Sequence, residues 1–457
     1  MSTLEIFNPA TGARIAQLQA DTPASVVAKA QAARAAQAAW AATALADRKA
    51  CIARFRASLV AEIDTLAALL TSEMGKPIGM ARGEIQGLLG RIDFFLDAVD
   101  LATTTETVYA QDGMREQIEH VALGVVANIS AWNYPWFVGG NVFVPALLTG
   151  NAVLYKPSEF ATLTGLAIAR LLHSAGVPQD VFTTLVGTGE VGAALLVQDI
   201  DGLFFTGSHA TGAKIAHTLG PRMVKMQLEL GGKDPTYVCE DAHVANAAAS
   251  LADGAMFNTG QGCCSVERVY VHEAIYDAFV AAFTTTVTGF KMGDPTHEDT
   301  YIGAVTRAPQ LAVLQAQVDD AVAKGARLEC GGKQRSGPGN WFEPTVLSHV
   351  DHRMDVMREE SFGPIVGIQK VANDQEAVAL MNDTRYGLTA GVFTPNEQRA
   401  RALLARVRAG TVYWNCCDRV SPRLPWSGYA DSGMGLTLST YGIATFTRPK
   451  AWHLRQG

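Results

Sequence analysis

The stretch NTGQGCCSVE, residues 258–267, sets two adjacent thiols, Cys263 and Cys264, in a glycine-rich turn. A turn of small residues lets backbone and ligand approach closely. A cysteine held there can act as a nucleophile once ionised, because the thiolate is the attacking species. Free cysteines are also among the most buried residues, so this motif alone admits both a working thiol and a packed one. LELGGK (228–233) places a carboxylate, Glu229, inside an apolar run just ahead of two glycines. Such a group costs free energy unless it is paired or chemically used. AWNYPW (131–136) puts Asn133 among aromatic rings at a strand end, where its amide can donate to an oxyanion or simply build a turn. VLYKPSE (153–159) ends a strand with Lys156 and then Glu159, a carboxylate able to accept from ribose hydroxyls. FTGSHATG (205–212) follows an apolar strand with Gly207 and opens a helix, a geometry that offers backbone N–H groups to a phosphate. It is not the dinucleotide fingerprint G-x-G-x-x-G.

The elements around these residues set their geometry. Residues 22–74 carry apolar positions at spacings of three and four and read as alanine-rich helices, with Thr22 as the first cap. Between 104 and 122 two β-prone runs flank Asp112-Gly113, the signature of a hairpin. From there strands and helices alternate: GVVANISAW, then a helix over PWFVGGNVFVPALLTG, then NAVLYKPS, then a helix ended by Gly176. VFTTLVG, GLFFTGS and TYVCE continue the series, and SVERVYVHE, ARLECGG, PIVGIQKV, TAGVFT and GTVYWN form a second one beyond Pro235. Alternation of this kind predicts an α/β protein with parallel sheets covered by helices. No Pro/Ser-rich linker separates the halves, which predicts close packing between them.

The 457 residues are enough for two or three domains. A formal charge of −7 without a basic stripe disfavours a nucleic-acid partner. The seven cysteines include two adjacent pairs and no CxxC or Cys/His ligand spacing, so neither a disulfide framework nor a metal site is expected. MSTLEIFNPATG lacks a basic start and apolar run, and no segment has about 18 consecutive apolar residues. A cytoplasmic, membrane-free protein is the expectation.

In order along the chain, NPATG, AWNYP, KPSE, FTGS, LELGGK, NTGQGC, EESFGP, NCCD and DSGMG resemble the motifs of the aldehyde dehydrogenase superfamily over nearly the whole length. The resemblance implies a Rossmann-like NAD-binding domain (1–103 and 123–230), an α/β catalytic domain (231–425) and oligomerisation strands (104–122 and 440–457). It further implies Cys263 as nucleophile, counted from Gln261, Glu229 as general base and Asn133 as an oxyanion donor. Trp132, Asn133, Lys156, Pro157, Ser158, Glu159, Gly207, Ser208, Leu230, Glu360 and Phe362 would bind the cofactor. Glu159 beside the adenosine ribose would repel a 2′-phosphate, so NAD is expected over NADP.

For the aldehyde, the resemblance assigns Tyr134, Trp136, Asn141, Cys264, Val420 and Trp426 to the pocket. Aromatic rings there suit an aromatic or medium-chain apolar aldehyde. Asn141 stands where relatives acting on succinate semialdehyde carry arginine, although Arg419 and Arg423 offer another anchor for a carboxylate. A homodimer or homotetramer is expected, since exposed strand edges call for a partner. A cysteine hydrolase would need a histidine base, and none of the ten histidines lies in a matching motif. A non-catalytic protein on this fold would have little use for both Cys263 and Glu229.

Overall fold

The computed structural model describes residues 2–417 and 419–456. An N-terminal hairpin, Thr3–Phe7 with Arg14–Gln19, leads into the helices Pro23–Ala42, Leu45–Met74 and Ile78–Thr103. Thr22 caps the first of them in a reciprocal box, with Ser25 N donating to Thr22 Oγ1 and Thr22 N to Ser25 Oγ. Leu45–Met74 stops at Gly75, whose φ of 79° is left-handed. The turn at Asp112 and Gly113 has φ of 52° and 72°, as a two-residue hairpin loop demands.

Two sheets dominate, each with parallel strands and helical cover. The first runs in the order Gly433–Met434, Lys225–Glu229, Gly202–Thr206, Val125–Ile129, Ala152–Lys156, Phe182–Thr184. Its inner strands are buried on both faces, as Val125–Ile129 and Ala152–Lys156 show along their whole length. The second runs Arg327–Cys330, Thr345–Ser348, Ile365–Val371, Val266–His272, Asp234–Val238, Thr389–Phe393, Thr411–Trp414, all parallel except the first pair. A third sheet joins Glu106–Gln111, Met114–Ala122 and the C-terminal Thr447–Arg455.

The chain therefore folds as an α/β protein, and its halves interlock. Gly433 pairs antiparallel with Glu229, so the DSGMG segment returns from the second half to edge the first sheet. The strands of the second sheet match the expected runs, with one addition: Thr345–Ser348, too short and too weakly patterned in EPTVLS to stand out in the sequence.

Candidate active site

In the first sheet the chain moves outward from Val125–Ile129 to Ala152–Lys156 and Phe182–Thr184, then returns to place Gly202–Thr206 on the other flank. The crevice beyond the C-terminal ends at this reversal is where an open α/β sheet binds ligands. The expected cofactor residues converge there. Lys156 ends its strand, 3% exposed, with Nζ 3.8 Å from Glu159 Oε2. Ser158 Oγ lies 3.4 Å from the same oxygen. Across the reversal, Gly207 N donates to Glu229 O, and Ser208 caps the helix His209–Leu219 by accepting from Thr211 N. The helix Thr162–Ser174 differs: Glu73 arrives from Leu45–Met74 and accepts from Leu163 N and Thr164 N. Burial pushes the Glu73 carboxyl up to about 7, against those backbone donors. Its helix terminus is thus taken, whereas that of His209–Leu219 faces the crevice. Trp132 stands edge-on to both Phe160 and Phe362, joining the two loops that border this space.

The cysteine turn is unusual in its backbone. Asn258, Thr259 and Gly260 have φ of 53°, 59° and 69°, three consecutive left-handed residues. Non-glycine residues occupy that region at a cost of about 1 kcal/mol or more each unless their surroundings enforce it. Here the ties are buried side chains. Asn258 Nδ2 donates to the carbonyls of Asn133 and Gln261, Gln261 Nε2 donates to Asn258 O, and Gln261 Oε1 accepts from Thr306 N. Asn133, 3% exposed, donates its amide to Gln261 O at 3.2 Å. Lys76 Nζ donates to Asn133 O at 2.8 Å while paired with the buried Glu84, which also accepts from Trp136 N. A buried ion pair from Leu45–Met74's end and Ile78–Thr103 thereby fixes the Asn133 segment.

Gly232 packs against this turn: a Cβ on it would sit 2.5 Å from the carbonyl oxygen of Cys263. The Cys263 thiol and the Glu229 carboxyl are close enough to perturb each other. Contact with the Cys264 thiol, burial and the Glu229 charge all push the Cys263 thiol well above its usual range. Burial raises Glu229 too, with Trp426, Cys263, Thr206 and Arg91 acting in the other direction. Glu229 Oε1 is buried without a hydrogen-bond partner among the described residues.

Two sequence motifs hold each other in place. Lys233 Nζ of LELGGK donates to Glu267 Oε2 at 2.5 Å and to Ser361 Oγ at 3.0 Å, and all three groups are buried. Glu267 in turn accepts from Ser361 N and Phe362 N. Glu360 accepts from Gly232 N at 3.0 Å, and burial with the Glu267 charge drives its carboxyl up to about 8. The acidic residue that closes NTGQGCCSVE is therefore the anchor of the EESFGP loop, a part that sequence reasoning left unassigned.

The helix Pro135–Leu148 separates the expected pocket residues by face. Tyr134, Phe137, Val138 and Asn141 recur at three and four and lie on one face, the first three partly exposed. Tyr134 and Phe137 stack with centroids 6.0 Å apart and planes 11° from parallel. Phe137, Cys263, Cys264 and Val420 rim the core cluster as half-buried groups. Trp136, expected in the pocket, is instead fully buried in that core on another side of the helix, and its indole N–H finds no acceptor among the described residues. Helical spacing from Tyr134 would have selected Phe137 in its place. Trp426 is 5% exposed and borders Glu229 rather than an open entrance. Arg419 and Arg423 are exposed. Pro157 and Leu230 are buried beside their motifs, Leu230 against Gly212 of the helix His209–Leu219. Among the described residues no acidic, histidine or cysteine cluster could hold a metal ion, and no helix is long and apolar enough to cross a membrane.

The sequence model of the Aldehyde dehydrogenase family matches residues 1–452. A betaine aldehyde dehydrogenase of Mesorhizobium japonicum is 34% identical, covering 99% of this chain and 94% of its own. A succinate-semialdehyde dehydrogenase [NADP(+)] of Deinococcus radiodurans is 34% identical over 90% of this chain and 86% of its own. The crystal structure of an NAD-dependent aldehyde dehydrogenase from Sinorhizobium meliloti superposes with a TM-score of 0.96 at 31% identity, over 99% of this chain and 91% of that one.

Proposed function

We propose, for a chain that belongs to the aldehyde dehydrogenase family, that it oxidises an aldehyde to a carboxylic acid with NAD, using Cys263 as nucleophile and Glu229 as base. The observation that carries this reading is that the Cys263 thiol and the Glu229 carboxyl lie close enough to perturb each other, while the Asn133 amide is held to Gln261 O two residues before that thiol. The Cys263 thiol loses its proton to water, the thiolate attacks the carbonyl carbon, and Asn133 Nδ2, released from Gln261 O, donates to the alkoxide that forms. Bound NAD supplies the hydride acceptor. Collapse of the adduct leaves a thioester on Cys263, and Glu229 takes a proton from the water that hydrolyses it. Glu229 neighbours the Cys263 thiol on which that thioester would form. The test is aldehyde-dependent formation of NADH by the purified protein, with a carboxylic acid as the second product.

The crevice residues fit a dinucleotide. A helix terminus at Ser208 is free for a phosphate, Lys156 and Glu159 stand together at a strand end, and Glu360 borders Gly232 near the thiol. Glu159 sets the cofactor choice in this reading. A 2′-phosphate near its carboxylate adds like-charge pairs worth about 4 kcal/mol each at ~4 Å and an effective dielectric near 20. Lys156 at 3.8 Å offsets part of this. A surviving penalty of about 1.4–3 kcal/mol corresponds to a roughly ten- to hundred-fold preference for NAD. Glu159→Ser is expected to narrow that gap, mainly by improving NADP use. Equal kcat/KM for the two cofactors in the unaltered protein would remove Glu159 from the ribose.

The pocket face of Tyr134, Phe137 and Val138 accommodates a ring or a short hydrocarbon stem. Assembly as a dimer or dimer of dimers is the reading for the third sheet, whose outer strands Glu106–Gln111 and Thr447–Arg455 leave exposed edges carrying Val108 and Trp452. Light scattering at micromolar concentration is expected to give at least twice the monomer mass, and a monomeric mass would refute it.

A further inference from the structure

The helix Ile78–Thr103 buries Ala81, Ile85, Leu88, Ile92 and Phe95, and on the same buried side it carries two charges seven residues apart, Glu84 and Arg91. The charge of Glu84 is matched by Lys76. Among the described residues Arg91 makes no salt bridge of its own, and the Glu84 and Glu229 charges act on it only from a distance. It is 5% exposed, and among the described residues its guanidinium makes one hydrogen bond, from Nη1 to the amide oxygen of Asn141 at 2.7 Å. Its Cζ lies 3.8 Å from the centroid of Phe137. A guanidinium has five N–H donors, and burying it without an anion in contact is costly. A neutral amide and a ring do not offset that cost in full.

The location tells what the charge is for. Phe137 stacks on Tyr134, and Tyr134 follows Asn133, so Arg91 lies at the far end of the face that begins at the oxyanion donor. From its start at Pro135 to Asn141 the helix advances about 9 Å. The guanidinium also stands within electrostatic reach of Glu84, Cys264, Glu229 and Cys263, in that order of strength. We propose that Arg91 is the receptor for a carboxylate at the far end of the substrate, which makes the substrate class an aldehyde whose short stem or ring ends in an acid. The planar fork of donors suits a carboxylate in two-point contact. Asn141, with its oxygen turned to Arg91, leaves its amide N–H groups as further donors to that anion. Arginine reaches this position from a neighbouring helix, although the residue at 141 itself is neutral. The exposed Arg419 and Arg423 are not needed.

This inference rests on the dehydrogenase reading above, and the experiment separates the two. Steady-state NADH formation is measured with two matched pairs: succinate semialdehyde against butanal, and carboxybenzaldehyde against methylbenzaldehyde. The unaltered protein is expected to favour the acidic member of at least one pair by about ten-fold or more in kcat/KM, mainly through KM. Arg91→Met is expected to bring that ratio close to one, and Arg91→Lys to restore part of it. If Arg91→Met does not fold, the ratio in the unaltered protein and its decrease in Arg91→Lys decide the matter. Ratios at or below one for both pairs would overturn the proposal, and so would an Arg91→Met protein that loses kcat equally for both members. In that case the guanidinium would be acting on Cys263 and Glu229 alone. No NADH from any of the four aldehydes would refute the dehydrogenase reading itself.

Discussion

Cys263→Ser and Cys263→Ala are each expected to lower aldehyde-dependent NADH formation by about three orders of magnitude or more, the scale of loss when a covalent nucleophile is removed. Cys264→Ala is expected to retain most of the activity. The two thiols are adjacent in sequence but differ in surroundings. Cys263 is the one whose backbone carbonyl rests on Gly232 and whose sulfur interacts with Glu229. A serine hydroxyl at that position is a far weaker nucleophile near neutral pH, because its proton is harder to remove than that of a thiol. Cys264 has a second consequence. Its thiol is the first cause of the raised Cys263 value, ahead of burial and of the Glu229 charge. Removing it is expected to increase the rate at which iodoacetamide alkylates Cys263 at neutral pH in the absence of substrate, because more of the thiol is then ionised. In the unaltered protein the same alkylation is expected to be slow at neutral pH and to accelerate as the pH rises. A Cys264→Ala protein that is inactive, beside an active Cys263→Ala protein, would place the nucleophile one residue further on.

Much of this arrangement was legible in the sequence because it depends on local signals. The Thr22 cap, the Asp112-Gly113 turn, the alternation of strands and helices, and the glycines of LELGG and NTGQG each act within a few residues of where they are written. What escaped depends on pairing across the fold. Glu267 is an ordinary acidic residue after NTGQGCCSV until Lys233 and the Ser361-Phe362 backbone are brought to it. Lys76 and Glu84 are eight residues apart across a break between helices, and only the folded chain shows that both serve the Asn133 segment. Arg91 and Glu84 did leave a trace, as two charges a heptad apart among the apolar positions of a buried helix face. The resemblance placed Trp136 in the pocket together with Tyr134, but a helix begins at Pro135. With 3.6 residues per turn, the positions that share a face with Tyr134 are 137, 138 and 141.

Glu229→Gln is expected to separate the two halves of the reaction. The glutamine keeps nearly the size and shape of the glutamate, so the packing against Trp426 and Thr206 and the strand pairing with Gly433 survive the change. What is lost is the ability to accept a proton. Attack by Cys263 and hydride transfer still form one equivalent of NADH per active site, seen as a burst on rapid mixing. Hydrolysis of the thioester then slows by about two to four orders of magnitude, the usual contribution of a positioned base. Burial sets the pH dependence that the unaltered protein should display in that second step. Glu229 titrates above the usual carboxylate range, so at low pH it holds its proton and cannot act as a base. Deacylation is therefore expected to rise with pH as the carboxyl ionises, and that rise is absent from Glu229→Gln. Arg91 pulls the carboxyl back towards ionisation, so an anion bound at Arg91 weakens this pull and shifts the rise to higher pH. Trapped acyl-enzyme, seen as an added mass on Cys263 in denatured Glu229→Gln protein after the burst, is the direct readout. A normal steady-state rate in Glu229→Gln, without a burst, would assign the activation of water to another group.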